Sequence, residues 1–199
     1  MLSNNLQGHF HNLQNAAGMF QCCERLGDFV HLYNGCIYIG NAMIESGVDC
    51  TSMFRGTCGW NSSGAGEPNI SIEGSYIRLA KNMFANMRGS GSTIVSVTSL
   101  GYGFNVIDSS QGCDANGMFS HATGFIPNVS LKYVINTSDM FSYASCYKLA
   151  ESMTSSGVSN YLYDASSMFE GFNNENNSID DARTTSGIRA MFSNWRPEQ

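Results

Sequence analysis

Seven times along the chain a Met-Phe pair sits inside the same arrangement of apolar and polar positions. The pairs are Met19-Phe20, Met53-Phe54, Met83-Phe84, Met118-Phe119, Met140-Phe141, Met168-Phe169 and Met191-Phe192. Three residues before each Met stand Ala16, Cys50, Ala80, Ala115, Thr137, Ala165 and Ile188. Four residues after it stand Cys23, Thr57, Met87, Ala122, Ala144, Phe172 and Trp195. Apolar residues at −3, 0 and +4 lie on one face of a helix. Four residues before each Met come Asn15, Asp49, Leu79, Asp114, Asn136, Asp164 and Gly187. Most of these are Asn or Asp, whose side-chain oxygen accepts from an unpaired N–H at a helix start. The pattern predicts a capped helix of about two turns with a buried Met stripe, too short to persist unless neighbours hold it.

A second periodicity precedes the pairs. Leu131, Tyr133 and Ile135 alternate with Lys132 and Val134, Tyr161 and Tyr163 lead into the sixth pair, and Tyr76-Ile77 into the third. Such period-two runs predict short strands. The residue before the cap is Val48, Cys113, Ile135 or Tyr163 in four units, placed to pack on the Met as a hydrophobic staple. The predicted unit is therefore a strand, an Asn/Asp cap, a short Met-Phe helix and a polar loop. Its recurrence makes the chain a repeat protein.

Successive Met residues lie 34, 30, 35, 22, 28 and 23 residues apart. The longer early spacings predict extra loops there. Phe29–Tyr33 and Cys36–Ile39, split by Asn34-Gly35, predict a hairpin. Asn61–Pro68 reads as a loop, as does Arg88-Gly-Ser-Gly-Ser92. Thr93–Thr98 reads as a strand, and Phe104–Ile107 as β-like. The units run almost end to end, so residues 1–199 are expected to form one solenoid domain with 1–14 as a lead-in or cap. The predicted fold class is an α/β repeat solenoid of about seven strand–short-helix units, with a short parallel sheet on one face.

Three stretches carry a family likeness: Ile135-Asn-Thr-Ser-Asp-Met-Phe-Ser-Tyr-Ala-Ser-Cys-Tyr-Lys-Leu149, Tyr163-Asp-Ala-Ser-Ser-Met-Phe-Glu-Gly-Phe172 and Asp114-Ala-Asn-Gly-Met-Phe-Ser120. They resemble the Met-Phe repeats of bacterial and mycoplasmal surface proteins related to the BspA-type leucine-rich repeats. The resemblance implies a leucine-rich-repeat-like solenoid with non-catalytic roles in adhesion or surface recognition.

Composition narrows the partners. Charged residues are 13% of the chain and the net charge is −6; the charged share is about half of the ~25% usual for soluble domains. The ten Lys and Arg are scattered, which argues against nucleic acid. The sequence has no apolar run long enough to predict a membrane span. Its first ten residues have neither a basic start nor an apolar stretch, so no secretory leader is expected. The seven Cys are an odd number, and Cys23, Cys50 and Cys113 occupy core-like positions, so reduced and buried thiols are expected.

No catalytic set stands out. His9 and His11, with Cys22, Cys23 or Cys36, are the only metal-like cluster, and they lack a zinc spacing. Gly64-x-Gly66 and Gly101-x-Gly103 lack the Lys-Ser/Thr of a phosphate loop. Asp180-Asp181 reads as a solvated turn. The expectation is a non-enzymatic structural or recognition module without cofactor or metal, exposed on a virion or cell surface and working by protein–protein or host-surface contact. The competing expectation is a carbohydrate-active or lytic enzyme on a solenoid scaffold. That enzyme would need Asp108, Asp114 or Glu151 in a carboxylate pair about 5–10 Å across. Tyr38, Tyr102, Tyr143 and Tyr147, expected as exposed aromatics on the strands, are candidate contact residues. Phe192 and Trp195 are candidates at the C-terminal end, where docking on another protein chain is expected.

Overall fold

The structure is a computed structural model that describes residues 8–10, 14–23, 36–39, 47–58, 70–74, 77–97, 100–101, 112–146, 157–174 and 192. Two parallel sheets organise these residues. The first holds β1 (Gly8–Phe10), β2 (Cys36–Ile39), β4 (Ile70–Gly74), β6 (Arg88–Val97), β8 (Thr123–Val129), β10 (Ser145–Cys146) and β11 (Asn173–Asn174), in that order. The second holds β3 (Val48–Asp49), β5 (Ile77–Leu79), β7 (Cys113–Asp114) and β9 (Val134–Asn136). Every strand pair is parallel, and successive units supply neighbouring strands. Two sheets thus replace the single one expected.

The parallel sheets are the part of the expected α/β architecture that the structure displays. The Met-Phe helices are not present among the described residues, where each of these segments is a run of turns. In the second unit Cys50 C=O accepts from Met53 N–H at 3.1 Å, Ser52 C=O from Arg55 N–H at 3.1 Å and Phe54 C=O from Thr57 N–H at 3.3 Å. The same three bonds recur at the matching positions of each of the six described units. The residue before Met has positive φ in all six: Gly18, Ser52, Asn82, Gly117, Asp139 and Ser167. So does the residue three after it: Cys22, Gly56, Asn86, His121, Tyr143 and Gly171. A β-turn with a left-handed third residue needs this conformation, and a right-handed helix forbids it.

The remaining N–H groups are satisfied between units. Those at −3, −1, +1 and +3 from Met donate to the carbonyls at −4, −2, 0 and +2 of the following unit. Between the third and fourth units, for example, Ala80 donates to Asp114, Asn82 to Asn116, Phe84 to Met118 and Asn86 to Ser120, at 2.8–2.9 Å. Alternate N–H groups therefore close turns within a unit or join it to the next, so the core keeps its backbone paired without a helix.

The expected Met stripe is buried. Met53, Met83, Met118 and Met140 are fully enclosed, as are Phe84, Phe119 and Phe141. Residues at −3 and +4 join them, among them Cys50, Ala80, Met87 and Ala122. The first sheet adds Ile72, Val95, Val97, Phe125 and Val129. The Phe rings stack in one column, with centroids 5.2 Å apart for Phe20–Phe54 and Phe54–Phe84, 5.4 Å for Phe84–Phe119, 5.2 Å for Phe119–Phe141 and 5.5 Å for Phe141–Phe169.

The flanking elements differ from expectation in places. Cys36–Ile39 forms β2, which pairs parallel with β1 and β4; the other arm of the expected hairpin, Phe29–Tyr33, lies outside the described residues, as do Asn61–Pro68 and Phe104–Ile107. Arg88–Ser92 is not a loop but the start of β6. The register with β8 shifts there, from Arg88↔Thr123 to Thr93↔Phe125. Gly89 lies so close to the Gly124 carbonyl that no Cβ fits. Tyr161 lies in a turn and Tyr163 in irregular backbone just before the isolated bridge at Asp164, so neither is in a strand, and Tyr163, expected as a staple, is exposed.

Candidate functional site

Away from the Met stripe each described turn segment carries four positions, at −2, −1, +2 and +3 from its Met, most of them exposed or half-buried, with Ala85, Gly117, Ser138 and Ser142 buried. The positions at −4 set where each segment begins. Asn15 Oδ1 accepts from Ala17 N–H at 2.8 Å, Asp49 Oδ1 from Thr51 at 2.9 Å, Asp114 Oδ1 from Asn116 at 3.1 Å, Asn136 Oδ1 from Ser138 at 2.9 Å and Asp164 Oδ1 from Ser166 at 2.9 Å. These are Asx-turns, each reaching two residues on, in place of the expected helix caps. The third unit has Leu79 at this position; beside it Lys81 Nζ makes a 2.9 Å ion pair with Asp114 Oδ2. That hydrogen-bonded pair pushes the Lys81 ammonium above its ordinary range.

Side chains link the rows between units. Asn116 Nδ2 donates to Ser138 O at 3.1 Å and to Ser138 Oγ at 2.7 Å, and Ser120 and Ser142 share a 3.0 Å hydroxyl bond. The most elaborate patch is at +3. The His121 and Tyr143 rings stack at 5.2 Å, and Tyr143 OH donates to Glu170 Oε1 at 2.7 Å. That bond raises the Tyr143 phenol and lowers the Glu170 carboxyl from their usual values. On its other side Tyr143 lies over Gly171, where a Cβ would come within 2.5 Å of the ring. Tyr143 is thus exposed at 53%, yet it offers solvent an edge rather than a face. His121, isolated in the linear sequence, becomes its neighbour through the 22-residue spacing of Met118 and Met140.

The other candidates separate. Phe192 is half-buried and packed against the core cluster. Trp195, Tyr147, Tyr102, His11, Asp108, Glu151, Asp180 and Asp181 lie outside the described residues. His9 lies in β1 in register with Tyr38 of β2. Asp114 Oδ2 pairs with Lys81 and its Oδ1 accepts from Asn116 N–H. Gly64, Gly66 and Gly103 lie outside the described residues. Gly101, at φ 74°, lies against the Tyr133 backbone, a close approach that accounts for this glycine without a phosphate. Among the described residues no group of three or more His, Cys, Asp or Glu is placed to hold a metal ion, and no helix is long and apolar enough to cross a membrane.

The described cysteines Cys22, Cys23, Cys50, Cys58, Cys113 and Cys146 are thiols. Burial, with Asp49 nearby, pushes the Cys50 thiol to about 12. Burial likewise pushes Cys113 well up. Neither is a nucleophile at neutral pH. Searches against protein-family models, curated proteins and solved structures find no match to this chain.

Proposed function

We propose that the chain is a solenoid of about seven Met-Phe units, and that it is a non-enzymatic structural or recognition module displayed on a virion or cell surface. It acts by protein–protein or host-surface contact. The observation that supports this most is the division of labour within the unit. The inward positions hold Met and Phe in every described unit, locked by the same backbone bonds. The outward positions differ from unit to unit: Lys81, Asn116 and Ser166 at −2, Arg55, Ser120 and Glu170 at +2, Asn86, His121 and Tyr143 at +3. A scaffold whose surface varies without touching its core is suited to presenting contacts. The low charge and the resemblance to Met-Phe surface repeats support the same reading.

The test is binding by the purified chain to intact cells and to arrays of surface proteins and glycans, beside turnover assays on polysaccharides and peptides. Saturable binding, lost when Arg55, Asn86 and His121 are changed together at unaltered melting temperature, is the expected result. Hydrolytic turnover of either substrate class would sink this reading.

A further inference from the structure

Tyr143 stands where the turn penalises it. The residue three after each Met takes positive φ, and Gly56 and Gly171 do so without strain. Tyr143 takes φ 54° and His121 φ 56°, a conformation uncommon for L-residues and more so for bulky ones. Burial does not account for the choice, because Tyr143 is 53% exposed and His121 is exposed as well. The exposed ring is nevertheless held from three sides. His121 stacks on it at 5.2 Å, Gly171 leaves room for it, and its OH donates to Glu170 Oε1 at 2.7 Å. The Ser167 side chain bonds the same Glu170 carboxylate.

Strain borne at an exposed, immobilised side chain points to contact with another molecule. A ring and a carboxylate that are already fixed lose little freedom when a partner arrives. Their hydrogen-bonding capacity says what that partner carries. Tyr143 gives its one O–H to Glu170, so towards a partner its oxygen can only accept. The Glu170 carboxylate accepts only, and the bonds from Tyr143 and Ser167 leave part of its about four acceptor sites open. With His121 on one face of the ring and Gly171 under the other side, neither face is open for a sugar ring to stack on. What remains is a pair of acceptors with a negative charge. We propose that Tyr143 and Glu170 form a docking point for an arginine side chain of a basic protein segment. A guanidinium carries five N–H donors and no acceptor, and its planar fork fits a carboxylate beside a second oxygen. This proposal rests on the recognition reading above and names the chemistry of its partner.

The experiment is fluorescence anisotropy of labelled nona-arginine and nona-lysine peptides titrated with the full chain at an ionic strength of ~0.15 M. Nona-arginine should bind more tightly than nona-lysine. Glu170→Gln should weaken nona-arginine binding by about tenfold or more, through the lost charge-assisted bonds. Tyr143→Phe keeps the ring and its stack but loses the hydroxyl, and should weaken it by about threefold or more. Asp139→Asn removes the same charge from another exposed residue and should bind as the parent does. All three variants should melt with the parent, because each of these side chains is exposed. Equal weakening by Glu170→Gln and Asp139→Asn means attraction to net charge alone and overturns the proposal. So does a chain that does not bind nona-arginine, or binding that survives both Glu170→Gln and Tyr143→Phe. Binding to a neutral glycan array that Tyr143→Phe abolishes puts a sugar at this point and overturns it too. Cell-surface binding unchanged by Glu170→Gln ends this inference and leaves the recognition reading intact. Glu170-dependent nona-arginine binding by a chain that hydrolyses polysaccharide does the reverse.

Discussion

The rings of Phe54 and Phe84 lie parallel, with an interplanar angle of 0° and centroids 5.2 Å apart. They come from successive units whose backbones are joined by Phe54 N–H donating to Met83 C=O at 2.8 Å. The stack is therefore set by the ladder, and each ring inside the column loses water on both faces. Aromatic pairs add about 0.5–1.5 kcal/mol beyond their burial.

Truncating the middle of this column should cost most. Phe84→Ala is expected to destabilise by about 3–5 kcal/mol, as for buried aromatic truncations elsewhere. Phe20→Ala, at the half-buried end, should cost clearly less. Urea unfolding of both variants checks this, and equal losses would contradict a column whose interior and end differ in burial.

Met140 and Met19 occupy the same position in their units and different environments, at 0% and 38% exposed. Met140→Ala should destabilise by about 2–5 kcal/mol. Met19→Ala should stay within about 0.5 kcal/mol, as for surface changes. Asn136→Ala removes an acceptor bonded to both the N–H and the hydroxyl of Ser138, and should cost about 1–3 kcal/mol through buried groups left unpaired. Melting curves of the three variants give the order.

The repeat and its buried face are legible in the linear chain, and the helix is misread for a definite reason. Inward residues at −3, 0, +1 and +4 are the i, i+3, i+4, i+7 spacing of an amphipathic helix. A run of four-residue turns with two residues in and two out gives the same spacing. What separates them is the residue before Met and the residue three after it. Gly18, Gly117, Gly56 and Gly171, with Asn82, Asn86 and Asp139, are types that tolerate positive φ. Their recurrence at fixed offsets is a turn signal. The pairing of His121 with Tyr143 follows from the same offsets once units are aligned on Met, whereas the Lys81–Asp114 ion pair at the Leu79 unit depends on side-chain reach that spacing does not encode.

Those offsets yield a paired test. Asp139 is exposed and sits at φ 55°, so Asp139→Gly relieves a left-handed L-residue and should stabilise by about 0.5–1 kcal/mol, net of the added chain entropy. Gly171→Ala does the opposite. Its φ is 61° and its Cβ would come 2.5 Å from Tyr143 Cδ1. It should destabilise by about 1–2 kcal/mol from the backbone alone. Denaturant midpoints that moved the other way in either variant would contradict the turn assignment.

Thiol reactivity should sort by burial. Cys22 is exposed, whereas Cys50, Cys113 and Cys146 are buried, and burial holds Cys50 near 12 and Cys113 well above its ordinary value. At pH 8 native protein should be alkylated at Cys22 well before Cys50, Cys113 or Cys146. The three buried thiols should react only after unfolding. Mass mapping of the modified peptides over time checks the order.

Acid should loosen the turn segments through Asp164. The Ser166 backbone N–H, with the Ser166 hydroxyl, lowers its carboxyl below the ordinary 3.8. A depressed folded value means that the charged form is favoured in the folded chain. The stability it adds is fully present above the unfolded value and is lost as pH falls through the folded one. The window therefore opens near pH 3.8 and extends below it. Asp164 is largely solvated, so the effect is small and screened by salt. Asp164→Asn keeps a side-chain oxygen for the Ser166 N–H but cannot titrate. The variant should match the parent closely at pH 7 and lose less stability between pH 5 and pH 2. Melting temperatures across that range measure the difference, and parallel curves for the two proteins would show that the Asp164–Ser166 turn contributes nothing to the acid limb.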